Sequence, residues 1–479
     1  MYQYGKMASG MWTRATGDTF RTHNPARPAE TVGEYTASNG ADVTAAVTQA
    51  GIAQTDWGRM PPVERCRLVH QFLDRVEAHT EAIAESVTRE QGKPLGEARG
   101  ECGKALREAR YMATQGQQTQ GELVSSQRTG MRNLILRRPR GVIAAISPWN
   151  FPVLTPMRKI APALVYGNAI VLKPSEYTPA AAYLLADAAR DILPDNVLQI
   201  LNGAAETGQA LVSHPDVQGV TFTGSVPTGR MIYQAAAANL TEVSLELGGK
   251  NAAVINDTDD LEGCLEQVAN AAFQCAGQRC TAISRVIVAA RLEEAVLEGL
   301  AARARDIKLG DGMSSDTTMG PLINANQLSH VERLVQQGID EGAHAYTGGD
   351  HVDVPDCGDG FFCQPTILGD VESHMTVARE EIFGPVIAVL RYSDFDEALR
   401  ILNDVDYGLT SALFSQDNRL VQRFFDHSEN GMLHVNHGTV PDDHMPFGGI
   451  KNSGVGAYSV AGSVRNFYTT EHSAYLKYC

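Results

Sequence analysis

One cysteine lies in a setting that suits a reactive thiol. Cys280 follows Gly-Gln-Arg and precedes the β-prone run 284–288, which predicts a sulfur held at the mouth of a strand. Small neighbours such as Ala276, Gly277 and Thr281 would let a substrate carbonyl approach that sulfur. Most cysteines are inert, buried apolar residues, so these neighbours make Cys280 a candidate nucleophile without excluding a structural role.

Two further polar side chains could complete a site for acyl chemistry. Asn150 lies between Pro148 and Pro152, and a loop stiffened by proline would aim its amide N–H at an oxyanion. The alternative is an asparagine that satisfies the backbone of its own turn. Glu246 ends an apolar strand, where a carboxylate can act as a general base. A salt bridge to Lys250 is the alternative.

Two stretches could contact a nucleotide. Residues 222–229 (Phe-Thr-Gly-Ser-Val-Pro-Thr-Gly) end an apolar strand and begin a helix, so Gly224 would permit the turn and Ser225 would cap the helix or contact a phosphate. The spacing is not G-x-G-x-x-G, and a plain strand–turn–helix explains it equally well. Glu381 and Phe383 precede a Gly-Pro turn and could flank a nicotinamide ribose or form a solvated corner.

A third polar cluster follows the buried strand 169–173. Lys173 and Glu176 lie just past the strand end, which is where cofactors bind in open parallel sheets, and both could hydrogen-bond an adenosine ribose. A carboxylate at Glu176 would repel a 2′-phosphate, which favours NAD over NADP, although Ser175 could tolerate NADP. An exposed strand end rich in turn residues is the alternative.

The elements that must position these residues follow a clear order. Residues 1–40 form short extended pieces, and residues 42–120 show apolar positions at helical spacing. Residues 121–140 predict a projecting hairpin. Strands and helices alternate from residue 141 onward, which predicts parallel sheets with helices on both faces and an α/β fold. The last piece, 463–476, is β-prone and predicts a strand with an exposed edge.

The composition excludes several classes of protein. The 479 residues carry 40 Lys and Arg against 56 Asp and Glu, a net charge of −16, with no basic run to attract nucleic acid or an anionic membrane. The longest uncharged run, 141–157, is broken by three prolines and cannot span a bilayer. Eight cysteines without zinc spacing predict a soluble cytoplasmic protein with reduced thiols and no metal.

Together these motifs resemble the NAD(P)-dependent aldehyde dehydrogenase superfamily, in family order over about residues 20–470. The matching stretches are 148–151, Lys173, 222–225, 246–250, 277–280, 381–385 and 446–449. The resemblance implies a Rossmann-type parallel-sheet cofactor domain, an α/β catalytic domain and a small β oligomerisation element, assembled as a homodimer or homotetramer. The implied bounds are 1–120 with 141–246 for the cofactor domain, 247–446 for the catalytic domain, and 121–140 with 463–479 for the oligomerisation element.

The resemblance also assigns the site residues. It implies that Cys280 is the nucleophile, Glu246 the general base, Asn150 the oxyanion donor and Lys159 a lysine near the base. The implied cofactor contacts are Ile146, Ser147, Pro148, Trp149, Lys173, Ser175, Glu176, Phe222, Gly224, Ser225, Leu247, Gly248, Glu381 and Phe383. The expected reaction oxidises an aldehyde through a cysteine thiohemiacetal and thioester. A CoA-acylating relative would lack the glutamate matched by Glu246, and a non-catalytic nucleotide-binding protein is the other rival.

The substrate is less well defined by the sequence. Arg158 matches the arginine with which succinate-semialdehyde enzymes bind a carboxylate, and an arginine fork suits two oxygens. Gln274 replaces a second expected arginine, and the 441–442 region lacks the expected serine. Arg279 could lower the pKa of the nucleophile or bond backbone. With Thr281 and Thr439 as further expected contacts, the hypothesis is a short aldehyde bearing an anionic or polar end.

Overall fold

The computed structural model describes residues 17–118, 121–349 and 352–478, together with the backbone of 2–4, 6–8 and 11–13. The helices are α1 (Gly40–Arg59), α2 (Pro62–Ala78), α3 (Thr80–Gln91), α4 (Leu95–Gln115), α5 (Leu154–Val165), α6 (Ala180–Ala189), α7 (Ala205–Val212), α8 (Val226–Ala237), α9 (Leu261–Phe273), α10 (Glu293–Arg305), α11 (Ala325–Asp340), α12 (Thr376–Arg379), α13 (Phe395–Asn403), α14 (Asn418–His427) and α15 (Val464–Tyr468). None of the helices in the described part of the chain combines the length and the apolar character needed to cross a membrane.

The strands fall into several sheets. They are β1 (Tyr2–Tyr4), β2 (Lys6–Ala8), β3 (Met11–Thr13), β4 (Thr19–Asn24), β5 (Arg27–Thr36), β6 (Gly121–Val124), β7 (Met131–Pro139), β8 (Val142–Ile146), β9 (Ala169–Lys173), β10 (Leu198–Ile200), β11 (Gly219–Thr223), β12 (Glu242–Glu246), β13 (Asn251–Ile255), β14 (Ile283–Ala289), β15 (His344–Thr347), β16 (Thr366–Gly369), β17 (Val386–Tyr392), β18 (Tyr407–Gly408), β19 (Thr410–Phe414), β20 (Met432–Val435), β21 (Ile450–Lys451), β22 (Gly454–Val455) and β23 (Thr469–Lys477).

The first large sheet has the order β22-β12-β11-β8-β9-β10-β2-β3, and its five strands from β8 to β12 are parallel. Alternate residues of β8 enter different cores. Ile143 and Ala145 pack with α2 to α6, whereas Val142 and Ala144 pack with α1, α7 and α8. Helices therefore cover both faces, and the predicted α/β class is confirmed.

The second large sheet has the order β15-β16-β17-β14-β13-β19-β20, and only the edge strand β15 pairs in the antiparallel direction. The chain passes from the first sheet to the second through residues 247–250, which join β12 to β13. Glu246 is thus the last residue of β12, and Cys280 lies in the 274–282 connection that leads into β14. This crossover brings the ends of both sheets to one place.

A third sheet joins the predicted hairpin to the C-terminal strand in the order β23-β7-β6. The hairpin at 121–140 and the edge position of the last strand agree with the prediction, and Tyr475 on β23 is 72% exposed. Phe467 and Tyr468 were predicted as strand, which is wrong. They form helix α15 because both rings are buried in the core of the first sheet, and packing overrides β propensity. The domain bounds stay a prediction.

Candidate active site

A cavity of about 730 Å³ lies where loops from the two large sheets meet. Of the residues predicted from the sequence, its lining includes Pro148, Trp149, Asn150, Arg158, Gly224, Ser225, Glu246, Leu247, Gly248, Arg279, Cys280, Thr281, Glu381 and Phe383. Its lining does not include Ile146, Ser147, Lys159, Lys173, Ser175, Glu176, Phe222 and Thr439. Nucleotide and acyl motifs that are far apart in the chain therefore line the same cavity.

Cys280 is partly buried and packs against Leu409, Met432 and Phe447. The connection before it has left-handed backbone at Cys275 (φ 56°), followed by Ala276 and Gly277, so a strained turn presents the thiol to the cavity. Burial, and then the negative charge of Glu246, raises the pKa of the Cys280 thiol to about 12. The free site therefore holds a neutral thiol, which must lose its proton before it can attack.

Glu246 is held by two hydroxyl groups. The Thr223 hydroxyl donates to Oε2 at 2.8 Å, and the Ser459 hydroxyl donates to Oε1. The Thr223 hydroxyl in turn accepts a hydrogen bond from Lys159 Nζ at 2.9 Å. No ion pair between Glu246 and Lys250 is found among the described residues, and Lys250 Nζ is buried without a hydrogen-bond partner there. The salt-bridge alternative for Glu246 is thus not seen.

Lys159 does not line the cavity but lies one hydroxyl away from Glu246. Burial lowers the pKa of Lys159 to about 8, with the Glu246 charge acting in the opposite direction. Its ammonium is 2.9 Å from Thr223 Oγ1 and 3.1 Å from Thr221 Oγ1. A lysine with a pKa near neutrality, joined to a carboxylate through a hydroxyl, can exchange a proton with it.

Asn150 is anchored on both sides. Its Nδ2 donates to the Gln278 carbonyl at 2.8 Å, two residues before Cys280, which leaves a second N–H on the same amide. The backbone carbonyl of Asn150 accepts a hydrogen bond from Lys93 Nζ at 2.7 Å, and Lys93 forms a fully buried ion pair with Glu101 at 2.7 Å. The loop is therefore held by this ion pair as well as by proline.

The sequence reasoning missed Lys93 and Glu101. Glu101 also accepts the backbone N–H groups of Val153 and Leu154 at 2.8 and 3.0 Å, so it fixes the start of α5. A possible signal was the Gly-Lys-Pro turn before α4, where a lysine precedes a helix instead of following one. The pairing of Lys93 with Glu101, which lies eight residues later and about two turns into α4, is not evident without the fold.

The nucleotide-facing wall has a capped helix and two rings. Ser225 is the N-cap of α8, and its side chain accepts the Thr228 N–H at 3.4 Å. Trp149 and Phe383 meet edge to face at 5.5 Å. A twelve-residue helix that begins at the cavity provides backbone N–H groups for an anion, and the two rings border a planar group.

Glu381 approaches the backbone after β12. Its Oε1 accepts the Gly249 N–H at 3.0 Å, and a Cβ added at Gly248 would lie 1.9 Å from its Oε2, so only glycine permits this approach. Burial raises the pKa of Glu381 to about 7, while the Gly249 N–H and Lys250 oppose that rise. This carboxylate therefore changes its charge close to neutrality.

The predicted ribose-binding cluster lies outside the lining of the cavity. Lys173 Nζ donates to the carbonyls of Pro174 and Gly203 at 2.9 and 2.6 Å and lies 3.6 Å from the Glu176 carboxylate. Lys173 is buried, whereas Glu176 is partly exposed. The lysine therefore directs its ammonium mainly at backbone carbonyls, and the Glu176 side chain is the more accessible of the two.

The substrate-facing wall is built on Arg158. Its Nε and Nη2 donate to the two oxygens of Glu108 at 2.6 and 2.7 Å, and its guanidinium lies 4.1 Å above the Phe447 ring. Burial lowers the pKa of Arg158, but the charge and hydrogen bonds of Glu108, together with the charges of Glu246 and Cys280, raise it above its ordinary value. No hydrogen bond from Nη1 is found among the described residues. Sequence reasoning missed Glu108, for which the i,i+4 spacing from Lys104 on α4 was the available signal.

Arg279 bonds side chains rather than backbone. Its Nη1 donates to Gln274 Oε1 at 2.5 Å, and its Nη2 donates to Thr281 Oγ1 at 3.3 Å. Thr439 is fully buried and donates to the Thr281 carbonyl at 2.7 Å, so it supports the wall from behind. The positive charges of Arg158 and Arg279 both oppose the rise in the pKa of Cys280.

A thiol, a carboxylate and an aimed amide beside a wall suited to a nucleotide are the parts of a cysteine-dependent oxidoreductase. The aldehyde dehydrogenase family model matches residues 12–473, and the chain belongs to this family. It is 37% identical over 478 residues to the alpha-ketoglutaric semialdehyde dehydrogenase of Bacillus subtilis, covering 99% of this chain and 98% of that protein. The chain is a NAD(P)-dependent, aldehyde-oxidising enzyme, as predicted.

Solved structures confirm the predicted fold. A structure of 3,6-anhydro-L-galactose dehydrogenase in complex with NAP matches with a TM-score of 0.96 and 33% identity, covering 99% of this chain and 100% of that one. A Staphylococcus aureus betaine aldehyde dehydrogenase in complex with NAD⁺ matches with a TM-score of 0.96 and 31% identity, covering 99% and 95%. The fold class is that of the family.

Proposed function

We propose that this enzyme oxidises a short aldehyde with an anionic end to the carboxylic acid. The observation that carries the proposal is the charge of the wall opposite the nucleotide. Two cations of this wall, Arg158 and Lys104, line the cavity, whereas the carboxylates that pair with them, Glu108 and Asp443, are not part of its lining. Cationic side chains that face the cavity while their carboxylate partners lie behind them favour an anionic ligand.

The relatives are consistent with this wall but do not decide the substrate. The Bacillus subtilis relative is named for alpha-ketoglutaric semialdehyde, which carries a carboxylate. The Staphylococcus aureus structure is of an enzyme named for betaine aldehyde, a cation, and it shares the fold equally well. Since one fold serves both charges, the charge of the cavity wall is the better guide.

The chemistry begins at Cys280. The thiol first releases its proton to solvent water in the cavity, and the thiolate then adds to the aldehyde carbon, which places a negative charge on the aldehyde oxygen. The second N–H of the Asn150 amide and the backbone N–H of Cys280 stabilise that charge. Loss of hydride from this carbon gives a thioester on Cys280, and NAD(P)⁺, when bound, supplies the acceptor for that hydride.

Glu246 carries the release of the acid. It takes a proton from a water molecule, whose oxygen attacks the thioester carbon and frees the Cys280 thiolate. Thr223 connects Glu246 to Lys159, and the pKa of about 8 makes the neutral amine of Lys159 accessible. In that form Lys159 can accept the proton of Glu246 once the Thr223 hydroxyl turns to donate to it. Because a base is present for water, the acid is the proposed product and a CoA thioester is not.

The residues present fit a dinucleotide cofactor. The α8 N-terminus at Ser225 suits the pyrophosphate, and Trp149, Phe383 and Glu381 suit the nicotinamide and its ribose. Glu176 would repel a 2′-phosphate, so we propose that NAD is preferred over NADP. The remaining predicted contacts are part of the same proposal.

The KM for NAD⁺ should depend on pH through Glu381. Its pKa of about 7 means that the carboxyl is neutral below pH 7 and charged above it, and only the charged form accepts hydrogen bonds from both ribose hydroxyls. The KM for NAD⁺ should therefore fall as pH rises through 7. In E381Q it should be about tenfold higher at alkaline pH and independent of pH. E176Q is the control, because it should raise KM without removing the pH dependence.

A panel of aldehydes tests the proposed substrate class. Initial rates with succinic semialdehyde and butanal, each with NAD⁺ and NADP⁺, compare an anionic with a neutral four-carbon chain. The R158L/E108L double variant removes the buried ion pair without leaving a lone charge. Its kcat/KM for the acid semialdehyde should fall about 30-fold or more, the worth of a hydrogen bond to a charged group, and for butanal by less than about threefold.

The control for that panel is D443N, which weakens the outer part of the same charge network and leaves Arg158 with Glu108. D443N should change kcat/KM by no more than about threefold for either aldehyde. An equal loss for both aldehydes in the double variant would contradict the anionic substrate. A CoA thioester among the products would contradict hydrolysis.

We also propose that the chain forms a homodimer or homotetramer through the β23-β7-β6 sheet. Its support is an open edge strand, β23, on which Leu476 and Tyr475 are exposed. Light scattering on the purified protein measures the assembly directly, and a monomer at micromolar concentration would exclude it.

A cytoplasmic location is proposed for the enzyme. Seven cysteines are free thiols in the described part of the chain, which fits a reducing compartment. Cell fractionation tests this location, and recovery in a secreted or membrane fraction would exclude it.

A further inference from the structure

A serine from the C-terminal loop reaches the proposed base. Ser459 donates its hydroxyl hydrogen bond to Glu246 Oε1, while Thr223 donates to Oε2 at 2.8 Å. Ser459 and Glu246 are 8% and 5% exposed. We propose that Ser459 is a positioning residue that fixes Glu246 for the release of the acid, an inference that rests on the proposed role of Glu246.

The backbone at Ser459 is itself fixed to the cavity wall. Its N–H donates to the Phe447 carbonyl at 2.9 Å, and the Phe447 N–H donates to the Ser459 carbonyl at 2.8 Å. Phe447 packs against Cys280 and lies under the Arg158 guanidinium. The backbone bridge between Ser459 and Phe447 therefore fixes both the hydroxyl that contacts the base and the ring beside the nucleophile.

The C-terminal loop that carries Ser459 contains strained backbone. Val460 and Ala461, directly after Ser459, have φ of 64° and 56°, which non-glycine residues seldom adopt. Upstream, β22 pairs with β12 so that Gly454 lies opposite Glu246. Strained residues persist only where the surroundings determine them, and they gather at functional sites. The loop is thus shaped to return Ser459 to the end of β12.

The two hydroxyl donors, Thr223 and Ser459, matter because the Glu246 carboxylate must be held in one orientation to take a proton from water. With Thr223 alone, one oxygen of Glu246 could turn away from the water that attacks the thioester. A displacement of about 1 Å at a reacting group can cost about 10²-fold in rate. The Thr223 hydroxyl also accepts from Lys159, whereas the Ser459 hydroxyl, among the residues that the structure describes, bonds only Glu246 and, weakly at 3.4 Å, the Phe447 carbonyl. Removing Ser459 should therefore slow acid release without slowing attack by Cys280.

The test follows the acyl-enzyme itself. An aryl acetate acylates Cys280, release of the phenol gives the acylation rate, and quenched mass spectrometry gives the decay of the acyl-enzyme. S459A should acylate within about twofold of the wild-type rate but lose acyl groups about tenfold more slowly. S459T, which keeps a hydroxyl, should recover to within about threefold.

The matched control is Ser244, two residues before Glu246 on β12. Its buried hydroxyl donates to the Ala457 carbonyl of the same loop at 3.0 Å and does not touch Glu246. S244A should lower the midpoint of thermal unfolding as much as S459A does while the acyl-enzyme decays at the wild-type rate. A role in stability alone would give both variants the same decay.

E246Q, measured in parallel, separates the two proposals. If its acyl-enzyme decays at the wild-type rate, Glu246 is not the base and the proposed mechanism is wrong. If E246Q decays slowly, the inference about Ser459 is overturned by an S459A decay that is unchanged, faster than wild type or equal to that of S244A. Failure of S459T to recover would overturn it as well.

Discussion

C280A should abolish aldehyde oxidation, with kcat falling by at least about 10³-fold, because it removes the sulfur that forms the covalent intermediate. The loss should be confined to chemistry. Cys280 is partly exposed and packs against only a few side chains, so alanine there leaves the fold intact. NAD⁺ should still quench the intrinsic fluorescence of C280A. NADH absorbance measures the rate, and mass spectrometry shows whether the acyl group is missing.

C275A provides the control, because Cys275 lines the same cavity five residues earlier. Its thiol is buried, its pKa is raised to about 11 by that burial, and its Sγ is 3.9 Å from the Asn150 carbonyl. Alanine already occupies the next left-handed position, so C275A adds no strain. It should retain activity within about threefold. An inactive C275A with an active C280A would move the nucleophile to Cys275.

The sequence predicted the elements of the sheets well because buried parallel strands are continuous apolar runs bounded by turns. The strand Ala169–Lys173 was predicted at its observed bounds, for this reason. Phe467 and Tyr468 show the limit. Their β propensity is real, but the core of the first sheet buries both rings through a short helix. Propensity is local, whereas burial depends on what lies opposite in space.

The candidate site shows the same division between residues and their partners. Cys280, Asn150 and Glu246 could be named because each is next to turn or strand signals in the sequence. Glu108 and Ser459 could not. Glu108 pairs with a residue 50 positions away, and Ser459 meets its carboxylate 213 positions away. Such partners are set by how helix α4 and the C-terminal loop pack, which no spacing in the chain reveals.

N150A should lower kcat/KM by about 10²–10³-fold, the usual worth of one oxyanion donor. One Nδ2 hydrogen of Asn150 is donated to the Gln278 carbonyl at 2.8 Å, which leaves the other to bond the oxygen of the thiohemiacetal. That oxygen gains its charge only after Cys280 attacks, so the loss should fall on the first turnover. Rapid-mixing measurement of the NADH burst checks this, since a slow burst places the defect before hydrolysis.

Asn168 is the control for N150A, since its amide differs in one decisive respect. Asn168 is also buried, but both of its Nδ2 hydrogens are donated, to the carbonyls of Ala163 and Tyr468 at 3.2 and 2.9 Å. N168A should therefore lower the free energy of unfolding by about 1–3 kcal/mol and leave kcat/KM within about threefold of wild type. N150A should also lower the free energy of unfolding, because it removes the buried hydrogen bond to the Gln278 carbonyl, but of the two variants it alone should lower kcat/KM. Because both variants delete a buried amide, equal effects on rate would mean that Asn150 only stabilises its loop and the oxyanion has another donor.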